Sequence, residues 1–253
     1  MAGTAGRSLN MEKEVTRWHS SRLQQDLQLV RWGHFGTPVL LFPTAGGDAE
    51  EVERFHLVGA VAPLIEAGRV KLYSCDSVAG RTWIEEGQSP FYRARVQNLF
   101  DAYIFNEVVP AIRTDCRSDQ IQIITAGASI GAFNAVASLC RHPDAFRAAI
   151  GMSGTYDLEP WLYGHFFDDF YYSSPIHYLP NLHDGPQLDA LRNRFVLMAY
   201  GEGRWEDPNQ SWRMAKVLGD KGIPNRVDVW GREWDHDWPT WREMLPRYLD
   251  DLA

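Results

Sequence analysis

Residues 120–140 read QIQIITAGASIGAFNAVASLC, and this stretch decides the fold. Its first part, Gln120–Thr125, is rich in isoleucine and predicts a buried strand, whereas Ser129–Cys140 is predicted to be a helix. Gly127 lies between the predicted strand and the predicted helix, and Gly131 lies in the first turn of that helix. The two glycines flank Ser129 at a distance of two residues each. Because glycine leaves room for a sharp backbone turn, the stretch predicts a tight strand-to-helix connection with this serine at its apex.

Short apolar runs alternate with helix-like segments on both sides of this stretch. Strands are also predicted at Gln25–Trp32, Pro38–Phe42, Val70–Cys75, Ala145–Met152, Phe195–Tyr200 and Arg226–Trp230. Further helices are predicted at Asp48–Ala67, Pro90–Ile112, Asn209–Leu218 and Thr240–Leu252. This order predicts an α/β fold with a mostly parallel central sheet, helices on both faces and one or two antiparallel strands at the N-terminal edge.

Two segments fall outside this alternation. Residues 156–190 are rich in aromatic residues and proline without a clear period, and we expect them to form an inserted, cap-like segment. We expect residues 1–10 to be a leader of the expressed chain, with Met11 as the natural start. No repeat or Gly/Ser linker marks a boundary after that, so residues 11–253 are predicted to form a single domain.

Composition excludes several partners. The chain has 253 residues, with 25 Lys and Arg against 33 Asp and Glu, which gives a net charge of −8. No run of Lys and Arg residues forms a basic patch in the sequence. We therefore expect neither nucleic acid nor a membrane as a partner. The expected partner is a small molecule. Cys75, Cys116 and Cys140 are far apart and lack metal-ligand spacing, which predicts free thiols in a reducing, cytoplasmic location. The sequence does not determine the oligomeric state, and a homo-oligomer is compatible with it.

The Gly-x-Ser-x-Gly motif around Ser129 indicates a nucleophile elbow, since a strand precedes it and a helix follows it. The Ile130 amide then lies at a helix N-terminus, where a free N–H stabilises an oxyanion. A serine hydroxyl needs a base to accept its proton. His236 is the best candidate among the histidines, because it follows the last predicted strand and precedes the last helix.

An acid and a second oxyanion donor complete such a site. The loop Gly201–Pro208 (GEGRWEDP) follows a strand, and three of its residues are acids. We favour Asp207, because the residue before a proline prefers an extended backbone. Glu206 is the close alternative, and Asp207 acting only as a helix N-cap is another. In the turn Pro43–Gly47, the Ala45 amide is the favoured donor, with Thr44 and Gly46 as alternatives. No metal or cofactor motif is found, so no cofactor is expected.

Together, these motifs resemble the Putative esterase family of α/β-hydrolases, which contains esterase D (S-formylglutathione hydrolase), feruloyl esterases and mycolyltransferases. The resemblance covers the chain from about Met11. It rests on the serine elbow, FPTAGG (42–47), CDS (75–77) followed by Trp83, SGTYD (153–157) and HDWPTW (236–241). The last of these, with His236, is the most specific.

The resemblance implies an α/β-hydrolase fold and gives each site residue a role. Ser129 would be the nucleophile, His236 the base, and the Ile130 and Ala45 amides the oxyanion hole, with an acid after the seventh strand. The expected activity is hydrolysis of a small-molecule carboxylic ester through an acyl-enzyme. Acyl transfer by the same intermediate and a noncatalytic binding protein on this fold are the alternatives.

Overall fold

The structure, a computed structural model, describes residues 11–253, so the proposed leader at 1–10 lies outside the described residues. Within that range eight strands form one sheet in the order β1-β2-β4-β3-β5-β6-β7-β8. The strands are β1 (Lys13–Ser20), β2 (Gln25–Trp32), β3 (Thr37–Phe42), β4 (Val70–Cys75), β5 (Ile123–Ala128), β6 (Phe146–Met152), β7 (Phe195–Tyr200) and β8 (Asn225–Val229). β1, β2 and β4 pair antiparallel, and the remaining pairs are parallel.

Helices connect the strands and cover both faces of the sheet. They are α1 (Glu51–Arg54), α2 (Leu57–Glu66), α3 (Val78–Ile84), α4 (Pro90–Tyr103), α5 (Val109–Asp115), α6 (Ile130–Arg141), α7 (Asp168–Ser173), α8 (Pro175–Tyr178), α9 (Pro186–Leu191), α10 (Pro208–Asp220) and α11 (Trp238–Leu252). The predicted α/β fold, with its mostly parallel sheet and antiparallel N-terminal edge, is confirmed. None of the helices within residues 11–253 combines the length and apolar character needed to cross a bilayer.

Strand residues alternate between two apolar cores. In β5, Ile123 packs into a core with Phe100 of α4, whereas Ile124 packs on the opposite face with Tyr248 of α11. Both faces are therefore buried, which explains why β3 to β7 are apolar along most of their length. β1 is largely exposed and polar, as expected for an antiparallel edge strand.

The predicted helix Asp48–Ala67 is wrong as a single element. It is divided into α1 and α2 at His56, which has a left-handed backbone with φ of 64°. This conformation interrupts the helical hydrogen-bond ladder. The separate helix α3 was not predicted at all, and the insertion at 156–190 consists of short helices and turns.

The predicted helix Pro90–Ile112 extends further than expected, to Asp115. A π-helical turn at Ile104–Val108 joins α4 to α5. Pro110 follows this π-helical turn directly, and the Val109 N–H before it donates to the Ile104 carbonyl five residues back. The wider π-helical turn departs from the regular α-helical ladder at the point where the proline lacks an N–H. The proline therefore does not end the helical segment.

Candidate active site

Five loops meet at the carboxyl edge of the sheet. They follow β3, β5, β6, β7 and β8, and together with Ile130 at the start of α6 they carry the candidate site residues that the sequence predicts. In open α/β sheets this edge is where ligands bind. A cavity of about 1200 Å³ lies instead at the amino edge, beside Thr37, Lys71 and Gln122. The residues predicted for the site lie at the opposite, carboxyl edge of the sheet.

Ser129 occupies the turn between β5 and α6. Its backbone has φ of 57° and ψ of −123°, a strained combination for any residue other than glycine. A Cβ at Gly127 would lie 2.4 Å from the Gly131 carbonyl, and a Cβ at Gly131 would lie 2.4 Å from the Phe42 oxygen. Both glycines are therefore required by close backbone approach. This turn leaves the Ser129 side chain only partly buried.

His236 and Glu206 approach each other across the loops after β8 and β7. His236 Nδ1 lies 3.8 Å from Glu206 Oε2, within ion-pair range but beyond a hydrogen bond. The imidazole also packs edge-on against Trp241, with ring centroids 5.3 Å apart. The backbone N–H of His236 donates to the Arg204 carbonyl. These contacts fix the Nδ1 side of the ring toward a carboxylate.

Glu206 is held by a chain of hydrogen bonds that the sequence did not reveal. Its side chain is 1% exposed. Oε1 accepts from the Ser153 hydroxyl at 2.6 Å and from the Gly201 N–H at 3.1 Å. Trp241 Nε1 in turn donates to Ser153 Oγ at 2.9 Å. A buried carboxylate is tolerated when donors satisfy it, so these residues can hold Glu206 in one orientation.

Asp207, the favoured acid, is not brought to His236. Its carboxylate caps α10, where Oδ1 accepts from the Asn209 N–H at 3.1 Å, and its side chain is exposed. The N-cap alternative describes its position, and Glu206 is the carboxylate that faces the imidazole. The physical reason is that Glu206 finds buried donors in Ser153 and Gly201, whereas Asp207 finds the free amides of a helix start.

The two expected oxyanion donors lie in one apolar cluster. Ile130 begins α6, and Ala45 packs against the cluster that contains Ile130, Trp83 and Phe170. The Thr44 amide donates to Glu51 Oε2 at 2.8 Å and is therefore occupied. Of the three candidate amides in the turn, Ala45 and Gly46 remain.

Among residues 11–253, one group of side chains could hold a cation. Asp157, Glu159 and His177 offer ligand atoms within 4.8 Å of one another. Asp157 already pairs with Arg213, however, and His177 Nδ1 is 2.8 Å from Ser174 Oγ. The charge of Asp157 is thus matched within the protein.

The mostly parallel sheet and the helices around it have the α/β-hydrolase fold. The chain belongs to the Putative esterase family, whose family profile matches residues 86–252. This confirms the resemblance noted in the sequence motifs. A comparison with curated protein sequences finds no match.

Solved structures share the fold at low sequence identity. A ferulic acid esterase is 16% identical with a TM-score of 0.70, and the match covers 94% of this chain and 96% of that one. An S-formylglutathione hydrolase from Agrobacterium tumefaciens is 14% identical with a TM-score of 0.71, covering 96% and 95%. Mycobacterium tuberculosis MPT51 (FbpC1) is 14% identical with a TM-score of 0.64, covering 95% and 97%.

Proposed function

We propose that this chain is a serine carboxylesterase that hydrolyses a small-molecule ester through an acyl-enzyme. The observation that carries the proposal is the strained turn at Ser129, because this backbone conformation persists only where the surrounding structure imposes it. Such strain clusters at functional sites. The turn lies in a Gly-x-Ser-x-Gly motif between a buried strand and a helix, as a nucleophile elbow requires.

Ser129 Oγ attacks the ester carbonyl carbon, and His236 Nε2 accepts the hydroxyl proton. Nε2 then returns the proton to the leaving alcohol, and water resolves the acyl-enzyme by the same steps. We assign Glu206, in place of Asp207, to stabilise the imidazolium through Nδ1. Its distance from His236 supports this role, and catalytic contacts often tighten only when substrate binds.

The Ile130 and Ala45 amides are proposed to bind the oxyanion that forms on the substrate carbonyl. We propose that the insertion at 156–190 forms an apolar site for the acyl group. Its residue Phe170 is buried in the same apolar cluster as Ile130, and Trp161 packs against that cluster. The proposed reaction needs no cofactor. We propose that a single domain, residues 11–253, provides all the groups that the reaction uses. A cytoplasmic location stays a prediction from the free cysteines, two of which are buried.

Labelling with a fluorophosphonate probe tests the nucleophile. We expect wild-type protein to be labelled and to hydrolyse p-nitrophenyl esters, and Ser129→Ala to lose both by several orders of magnitude while keeping its circular dichroism spectrum. More than about a tenth of the activity in folded Ser129→Ala would exclude this nucleophile. Wild-type protein without labelling or hydrolysis would favour a noncatalytic binding protein.

A series of p-nitrophenyl esters from acetate to decanoate tests the acyl group. Chain-length preference reports the size of the apolar acyl site directly. Adding an alcohol and analysing the products separates hydrolysis from acyl transfer, since a transferase would form the new ester in preference to the free acid. We expect the free acid to dominate.

A further inference from the structure

The carboxylate of Glu51 turns back from α1 onto the loop after β3. Its Oε2 accepts from the Thr44 N–H at 2.8 Å, and its Oε1 accepts from the Thr44 hydroxyl at 2.7 Å. Glu51 is only 7% exposed. Burial raises the pKa of this carboxyl, and the two Thr44 hydrogen bonds act in the opposite direction. Burying a carboxylate is unfavourable unless hydrogen-bond donors satisfy its oxygens. Thr44 provides one donor to each oxygen of Glu51.

Glu51 differs from the two neighbouring acids, Glu50 immediately before α1 and Glu53 within it. The Glu50 carboxylate pairs with Lys13 Nζ at 2.6 Å, and Glu53 pairs with the same lysine. Both are more exposed than Glu51, and their side chains pair with Lys13 rather than with Thr44. A favourable position near the helix N-terminus explains an acid at any of these sites, but it does not explain why one carboxylate binds both donors of Thr44.

The loop is also held from its other side. The Gly47 N–H donates to the Thr44 carbonyl at 3.1 Å and closes a turn, and the Ser77 N–H donates to the Gly47 carbonyl at 3.2 Å. At Gly80 in α3, a Cβ would lie 3.1 Å from the Ala45 oxygen. The backbone at Ala45 therefore lies between the Glu51 contact and α3.

We propose that Glu51 is a positioning residue that fixes the Ala45 amide for oxyanion binding, an inference that rests on the proposed esterase function. The Ala45 N–H shares a peptide plane with the Thr44 carbonyl, which accepts from the Gly47 N–H at 3.1 Å. Glu51 holds the preceding peptide through the Thr44 N–H, and it also holds the Thr44 side chain. Together these contacts fix Thr44 on both sides of its Cα and, with it, the direction of the Ala45 N–H. An oxyanion donor must keep its direction to within tenths of an ångström, because its contribution depends on being aligned before the reaction. Glu51 itself touches no reacting atom.

Glu51→Ala and Glu51→Gln separate this role from a general effect on the fold. The alanine variant releases Thr44, and we expect kcat to fall by about 10- to 100-fold with KM changed less than about threefold, since losing an oxyanion donor lowers kcat by about 10² to 10³. In Glu51→Gln the amide oxygen can accept from the Thr44 N–H while the amide nitrogen donates to Thr44 Oγ1. This variant should stay within about fivefold of wild-type kcat.

Glu50→Ala is the matched control. It removes an acid one position away that pairs with Lys13 rather than with the loop, so kcat should be unchanged. If Glu51→Ala fails to fold, Thr44→Val provides the same test with a smaller change, because it removes only the hydroxyl donor. A kcat of Thr44→Val or Glu51→Ala equal to wild type would overturn the proposal.

Hydrogen exchange of the loop amides distinguishes this inference from the proposed function. In Glu51→Ala we expect faster exchange in peptides covering residues 43–47, with no change in peptides from α6, and Glu50→Ala should match wild type in both. Unchanged exchange at 43–47 would refute the positioning role even if activity fell. Faster exchange in a chain whose wild type has no esterase activity would refute the proposed function and leave the contact between Glu51 and the loop established.

Discussion

At the scale of single residues, Glu206 and Asp207 are neighbours with opposite surroundings. The Glu206 carboxylate is buried against Ser153 and Gly201 and faces His236, whereas Asp207 is exposed and caps α10. A triad carboxylate stabilises the imidazolium that forms during attack, but an N-cap carboxylate only binds amides. The two residues should therefore respond very differently to loss of charge.

We predict that Glu206→Gln lowers kcat strongly, by up to about 10⁴-fold, because the amide is uncharged but keeps the size of the side chain. Asp207→Asn should leave kcat nearly unchanged, since asparagine caps a helix about as well as aspartate. Steady-state kinetics with one p-nitrophenyl ester gives both values. The reverse order would return the role to Asp207, and two small effects would move the search to Glu202.

The sequence predicts Ser129 and His236 as candidate site residues, but it does not distinguish the surroundings of these two acids. The serine elbow is a local pattern, in which small residues and a strand-to-helix turn are close together in the chain. The direction of the Glu206 side chain depends instead on donors far away in sequence, namely Ser153 and, through it, Trp241. The sequence likewise gives Glu51 only a local explanation, since acids at the start of a helix favour its dipole, and its contact with Thr44 depends on the folded loop.

At the scale of elements, the joint between β5 and α6 depends on the absence of a side chain at Gly131. A Cβ there would lie 2.4 Å from the Phe42 oxygen and 2.7 Å from the Pro43 oxygen, which are backbone atoms at the end of β3. Neither can move without disturbing the centre of the sheet. The close contact between α6 and β3 thus places Ser129 beside the loop that carries Ala45.

Gly131→Ala should therefore destabilise the protein severely, or prevent folding, because the clash is with backbone. Gly59 in α2 is the matched control, since a Cβ there would meet nothing within 4 Å. Gly59→Ala should raise the free energy of unfolding by about 0.5–1 kcal/mol, as alanine is the better helix former. Thermal unfolding of the two variants measures both changes. Similar melting temperatures would contradict the assigned role of Gly131.

Element positions were predictable where the apolar pattern was unambiguous. β2, β4 and β7 have the predicted bounds because each is a short apolar or alternating run between turn residues. The break at His56 was not predictable, because a left-handed backbone is uncommon for any residue except glycine, even though histidine adopts it more often than most. Helix α3 was missed because its residues pack against the loop and the insertion, a tertiary environment that has no periodic signal.

At the scale of the whole molecule, the sheet imposes the strained conformation of Ser129. The Ser129 N–H donates to the Met152 carbonyl at 3.0 Å, and the Ser129 carbonyl accepts from the Thr155 N–H at 3.2 Å. Both partners belong to the end of β6 and the loop after it. The strain at Ser129 is thus maintained by a neighbouring strand rather than by the turn alone.

This origin predicts a difference between two variants that both lack the hydroxyl. Ser129→Ala keeps a Cβ at φ of 57° and so keeps the strain, whereas Ser129→Gly removes it. Relief of about 1–3 kcal/mol is partly offset by about 0.5–1 kcal/mol for the greater freedom of glycine in the unfolded chain. The net gain of about 1 kcal/mol should raise the melting temperature of Ser129→Gly above that of Ser129→Ala by about 2–4 °C.

Calorimetry of the two variants under identical conditions measures this difference, and neither should hydrolyse esters. The comparison isolates the backbone, because the nucleophile is absent from both and their other contacts are the same. A melting temperature of Ser129→Gly equal to or below that of Ser129→Ala would mean that the turn is relaxed. The strained conformation could then no longer serve as the observation that supports catalysis at Ser129.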